Sequence, residues 1–234
     1  MSAPKEATHP IGLVRPTLLL PRAGKTHSSG DTDEGTDSSF GLSSFAGLQL
    51  VTSPGRVMIP RPATERLVER ALARLGSEPA RVVDVGTGSG ALAVAIALRA
   101  PNAEVWATDL FEAAVKLTRA NVARHRLGHR VHVVQGDLLE AVPGNFDLVV
   151  ANLPYLPERL RFESAYADLR REPRRAVFAP GDGLGPYRRL LEASRHRLSD
   201  RGALMIQYRG RILEATRSEL GNLLAELEEQ ALAA

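Results

Sequence analysis

Five short runs rich in β-branched residues, at 81–85, 104–108, 131–134, 146–151 and 203–206, recur through a chain whose other periodic stretches are helical. Runs this short and this apolar bury both faces, and helices between them return the chain so that successive strands lie parallel. The helical stretches are 91–99, then 112–127 with Gly128 as its terminating residue, and 186–198 with proline in the first turn. An earlier helix at 64–75 puts Leu67, Val68, Ala71, Leu72 and Leu75 on one face. The pattern predicts a parallel α/β sheet covered on both sides.

Around this unit the composition changes. Residues 1–44 are rich in Pro, Ser, Thr, Gly and Asp, and 25–39 hold no large apolar side chain to offset the entropy of ordering, so they read as a disordered leader. Leu48, Leu50 and Val51, then Val57, Met58 and Ile59 beyond Pro54-Gly55, read as a strand pair about a turn. Residues 211–234 read as an amphipathic helix through Leu213, Leu220, Leu223, Leu224 and Leu227. The organisation expected is a leader (1–44), one α/β domain (45–210) and a terminal helix (211–234).

Several function classes are excluded by residue content. The chain has no cysteine, so disulfides, zinc fingers, iron–sulfur clusters and thiol nucleophiles are impossible. It contains no G-x-S-x-G elbow and no Walker lysine. His125, Arg126 and His129 surround the Gly128 turn without a carboxylate at ligand spacing, so no metal site is expected. The formal net charge of +3 is compatible with an acidic partner, but Arg is interleaved with 27 acidic residues, which favours a solvated surface. The run Arg170, Arg171, Arg174 and Arg175 is read the same way. No apolar run approaches the ~18 residues of a membrane span.

The first strand leads into Asp84-Val85-Gly86-Thr87-Gly88-Ser89-Gly90, whose glycines permit a tight strand-to-helix turn and close approach of a ligand to backbone amides. The spacing alone also satisfies a dinucleotide fingerprint. Asp84 separates the two readings: a carboxylate there is awkward beside a pyrophosphate but suits the ammonium and sulfonium charges of S-adenosyl-L-methionine (SAM). Asp109, ending the second strand, is placed to accept hydrogen bonds from ribose hydroxyls, and Asp137, after the third, from an adenine amino group. Each could alone be a turn or helix cap; three at successive strand ends argue for a site.

The fourth strand ends in Asn152-Leu153-Pro154-Tyr155. With the preceding motif, this resembles class I SAM-dependent methyltransferases, in which N-[LP]-P-Y loops serve enzymes that methylate a planar nitrogen of adenine or of a glutamine amide. Such a nitrogen shares its lone pair with a π-system, so two acceptors must hold its hydrogens. The Asn152 side-chain oxygen and the Leu153 carbonyl would do so, with Tyr155 stacked on the planar group. Two flanking segments select the branch. Pro60-Arg61-Pro62-Ala63-Thr64-Glu65 is similar to the P-R-P-x-T-E entrance of release-factor glutamine methyltransferases, the HemK/PrmC type. Glu172-Pro173-Arg174-Arg175-Ala176-Val177, Gly181-Asp182-Gly183-Leu184 and Tyr187-Arg188 resemble that family's segment between strands four and five.

The resemblance implies an open, doubly wound, mostly parallel sheet of strand order 3-2-1-4-5. SAM would be held by Asp84, Gly86, Thr87, Gly88, Gly90, Asp109, Asp137 and Asn152, and substrate by Pro60, Arg61, Thr64 and Tyr155. The chain departs from the family at Leu153, usually Pro, and at Gln207-Tyr208, where Glu is usual. On this resemblance the family's N-terminal helical domain and last two antiparallel strands are expected to be missing, which would leave 203–208 as an open edge able to pair with a second copy. The implied activity is methylation of a protein glutamine, with release factor as partner, in the cytoplasm. N6-adenine methylation of nucleic acid, or a SAM-binding relic, remain alternatives.

Overall fold

A computed structural model describes residues 40–232 of the chain. The hairpin β1 (Gly41–Phe45) and β2 (Leu48–Thr52) leads to α1 (Pro62–Leu75), β3 (Ala80–Val85), α2 (Ala91–Arg99), β4 (Ala103–Asp109) and α3 (Glu112–Arg124). Then follow β5 (Val131–Gln135), β6 (Phe146–Ala151), a two-residue β7 (Leu156–Pro157), 3-10 turns, a short α4 (Arg174–Val177) and β8 (Phe178–Ala179). The chain continues through α5 (Gly185–Arg195), β9 (Leu198–Tyr208), β10 (Arg211–Thr216) and α6 (Leu220–Leu232).

Six strands form one sheet in the order β10-β9-β6-β3-β4-β5. Numbering its parallel strands by their order in the chain gives 3-2-1-4-5, the expected Rossmann-like arrangement, with the topological switch between β3 and β6. Period-2 alternation fills both faces. Val82 joins a core with Leu67, Val68, Ile96 and Val122 from α1, α2 and α3. Val83 and Val85 join Tyr187, Leu190, Leu223 and Leu227 from α5 and α6. No helix among the described residues is long and apolar enough to cross a membrane.

Four local expectations are corrected. Most of the 1–44 leader lies outside the described residues, but Gly41–Ser44 belong to β1. The first hairpin turns at Ala46 and Gly47, with φ of 50° and 77°, rather than at Pro54-Gly55; two adjacent left-handed residues match the twist of a tight hairpin. Residues 57–59 are not a strand. The turn after α3 takes its left-handed residue at Arg126, φ 58°, not at Gly128.

The largest correction concerns the tail. Residues 211–216 pair antiparallel with β9, opposing Leu213 to Ile206 and Ala215 to Leu204, so the edge at 203–208 is not open. Arg209 and Gly210, with φ of 49° and 77°, make the two-residue turn. The terminal helix therefore starts late, after a capping box in which Thr216 and Glu219 satisfy each other's amides. Leu220, Leu223 and Leu227 of α6 then pack in the same cluster as Leu213 and Ala215. The antiparallel edge strand removes the surface through which dimerisation was expected.

Candidate active site

The loop after β3 is built by hydrogen bonds from three directions. The amides of Gly86 and Thr87 donate to the Thr108 carbonyl at 2.9 and 3.0 Å, tying the loop to the end of β4. From α3, the Thr118 hydroxyl donates to the Gly88 carbonyl at 3.0 Å and the Asn121 amide to the Ser89 carbonyl at 2.8 Å. Beneath the loop, Asp84 accepts from the Thr87 hydroxyl at 2.6 Å and the Ala93 amide at 3.2 Å through Oδ2. Its Oδ1 is buried without a partner. Burial pushes the Asp84 carboxyl up to about 7, against those two hydrogen bonds and with a smaller push from Asp109.

Asp109 closes the adjacent side. Its two oxygens accept from the Gly88 amide at 2.9 Å and the Phe111 amide at 3.0 Å, and burial raises its pKa despite them. The carboxylate is thus aimed by backbone donors, with lone pairs left over. Asp137 lies next in line, since the Gly136 amide donates to the Asp109 carbonyl, but its Oδ2 is held by Arg189 at 2.7 Å.

The Asn152-Leu153-Pro154-Tyr155 segment leaves the end of β6 against this loop. Gly86 has φ of 70°, and a Cβ there would lie 2.6 Å from the end of the Leu153 side chain, so any other residue would strain the backbone and displace Leu153. Asn152 Nδ2 donates to the Thr64 hydroxyl at 3.1 Å, which leaves Oδ1 free. The buried Tyr187 hydroxyl accepts from the Leu153 amide at 3.2 Å and lies 3.1 Å from the Leu153 carbonyl and 2.7 Å from that of Gln207. With one proton to donate, it serves the nearer Gln207 carbonyl best. Tyr155 is fixed edge-to-face on Tyr208, with centroids 5.2 Å apart.

A cavity of about 390 Å³ opens here, lined among others by Arg61, Thr64, Asn152, Leu153, Pro154, Tyr155 and Gln207. At its mouth Arg61 pairs with Glu172 at 2.6 Å, and the other Glu172 oxygen accepts from the Ile59 amide at 3.2 Å. The Glu172 side chain is 6% exposed, so this pair clasps the segment before α1 onto the 158–177 excursion. Of the expected substrate residues, Arg61, Thr64 and Tyr155 line the cavity and Pro60 does not. Elsewhere Arg174 pairs with Glu158, and Arg170 donates to the Phe162 and Glu163 carbonyls. His125 lies 3.1 Å from the Gln49 carbonyl.

Sequence reasoning assigned no role to Tyr187 or to the Gln207 side chain. Both reach the site from elements more than 30 residues away from Leu153 in the chain, as the span of 34 residues to Tyr187 shows. Only the departure at Gln207 singled that position out.

Comparison with known proteins matches residues 62–177 to the Methyltransferase small domain family. A release factor glutamine methyltransferase of Bordetella pertussis is 45% identical over 167 residues, covering 70% of this chain and 61% of that protein. One from Escherichia coli is 38% identical over 178 residues, covering 76% and 63%. The chain thus spans about three-fifths of the length of these curated relatives. Among solved structures, a Pyrococcus furiosus methyltransferase superposes with TM-score 0.52 at 20% identity, covering 79% of this chain and 78% of that one. A T. thermophilus 16S rRNA methyltransferase in complex with AdoMet and guanosine gives TM-score 0.52 at 20% identity, covering 72% and 41%. These two likenesses concern the fold, whereas the sequence matches reach further: residues 62–177 carry a Methyltransferase small domain, and the chain is similar to release factor glutamine methyltransferases over about three-fifths of their length.

Proposed function

We propose that the chain is a SAM-dependent N-methyltransferase acting on the side-chain amide of a protein glutamine, with a peptide chain release factor as its partner and the cytoplasm as its place of action. The observation that carries this reading is Asn152, a residue lining the cavity, whose amide nitrogen is occupied by Thr64 while its oxygen is left without a partner. The relatives that are release factor glutamine methyltransferases support this substrate class.

The residues around the loop fit such a cofactor. Asp109 carries a backbone-aimed carboxylate suited to a ribose diol, Gly86 and Gly88 add no side chains to the loop, and Asp84 holds an unpartnered buried oxygen beneath it. Asp84, Gly86, Thr87, Gly88, Gly90, Asp109 and Asp137 would hold it, with Asn152 at the substrate side. Bound SAM supplies an electrophilic methyl group on a sulfonium centre.

The chain's own contribution is orientation. Asn152 Oδ1 and the Leu153 carbonyl accept the two hydrogens of the substrate amide, which turns its lone pair out of conjugation and toward the glycine loop. Tyr187 and Thr64 keep those acceptors still. Tyr155 covers the planar group, and burial raises its phenol pKa.

The test is mass spectrometry of labelled-methyl transfer to a Gly-Gly-Gln peptide, intact release factor and adenine-containing oligonucleotides in parallel. Label is expected on glutamine. Asn152→Ala should retain SAM affinity by calorimetry while transfer falls ~100-fold or more, the scale for losing an oriented polar group. Label on adenine, or undiminished transfer in the variant, would overturn the reading.

A further inference from the structure

Gln207 is held rigidly where the cavity meets the sheet. Its main chain stands opposite Ile212 of β10, and its carbonyl accepts the Tyr187 hydroxyl at 2.7 Å. The side chain is buried, with the residue 6% exposed, and lines the same cavity as Asn152 and Tyr155. Yet its Oε1 has no hydrogen-bond partner. An amide oxygen shut away from water and unpaired costs free energy in the free protein, and a leucine of similar size would remove that cost. An unpaired acceptor on a residue that lines the cavity is compensated when a ligand brings an N–H donor to it.

We propose that Gln207 is a substrate-recognition residue: its Oε1 accepts a hydrogen bond from a main-chain N–H of the incoming peptide, beside the amide that Asn152 orients. This rests on the reading of a glutamine-bearing peptide as acceptor. Asn152 Oδ1 and the Leu153 carbonyl take both hydrogens of the reacting nitrogen, so the donor left for Gln207 is peptide backbone. Because β9, β10 and Tyr187 already fix the residue, little ordering accompanies the new bond. The unpaired acceptor also selects: a group offering only another acceptor meets repulsion there.

Steady-state transfer to a Gly-Gly-Gln peptide, SAM calorimetry and thermal melting of Gln207→Leu and Gln207→Met test this. For both variants KM for the peptide should rise about tenfold, the worth of one neutral hydrogen bond, with the larger share of the loss in KM rather than kcat. SAM affinity should be unchanged and the melting temperature of the ligand-free protein should hold or rise. A purely structural Gln207 would instead lower the melting temperature and leave KM alone, and that result overturns the inference. If the parent protein transfers nothing to the peptide, the function reading falls and takes the inference with it. Transfer by the parent with unchanged KM in both variants defeats the inference only.

Discussion

At Asp84, burial outweighs two hydrogen bonds and leaves a carboxyl that titrates at about 7. A folded pKa above the unfolded value of 3.8 means that the folded state binds the proton more tightly. The resulting stability is complete below the unfolded value and is lost as pH rises through about 7. Above that range the ionised group opposes folding unless a cation compensates it. Asp84→Asn keeps an acceptor for Thr87 and Ala93 without the charge. Its melting temperature relative to the parent should therefore climb as pH rises through about 7, in scans of the ligand-free proteins. A pH-independent difference would show that the charge of Asp84 is not what burial penalises. Asp109, raised in the same direction, adds to the parent's slope and remains in the variant.

Among the elements, β10 decides most about the site. Its register opposes Leu213 to Ile206 and Gln207 to Ile212, and it turns the end of β9 from an exposed edge into an interior strand. Leu213 is 7% exposed and packs with Leu220, Leu223 and Leu227. Leu213→Ala should cost about 2 to 5 kcal/mol in a denaturant melt, the range for emptying a buried leucine site. A value within a few tenths of zero would mean that β10 is not cooperative with the sheet. The tail misled sequence reading because Leu213 and Leu220 are seven residues apart, which also satisfies a helical stripe. Pairing with β9 outweighed that local period, and the capping box at Thr216 and Glu219 marks where the helix begins.

For the molecule as a whole, the ends of β3, β4 and β6 converge on one crevice, and a ligand there links segments that are far apart in the chain. SAM at a hundred times its Kd should raise the stability of the folded state by about 2.7 kcal/mol, provided it binds the folded state alone. Hydrogen exchange should slow at the Gly86 and Gly88 amides and at residues 109–111, while the β1–β2 hairpin stays unchanged. Protection spread evenly over the sheet, or none at the glycine loop, would show binding elsewhere.

The sequence by itself determined the parallel sheet, the glycine loop after β3 and the carboxylates at successive strand ends, because these follow from short-range patterning that survives whatever packs around it. It also placed the segment around Asn152 directly after the fourth parallel strand. Tertiary structure alone decided which atoms of those residues are free. Thr64 occupies the Asn152 nitrogen from 88 positions away, Tyr187 bridges Leu153 and Gln207, and Arg189 occupies Asp137. Contacts so distant in the chain leave no period in it. They arise only when the sheet is assembled, because each polar group left in the interior must then find whichever partner the fold has brought within reach.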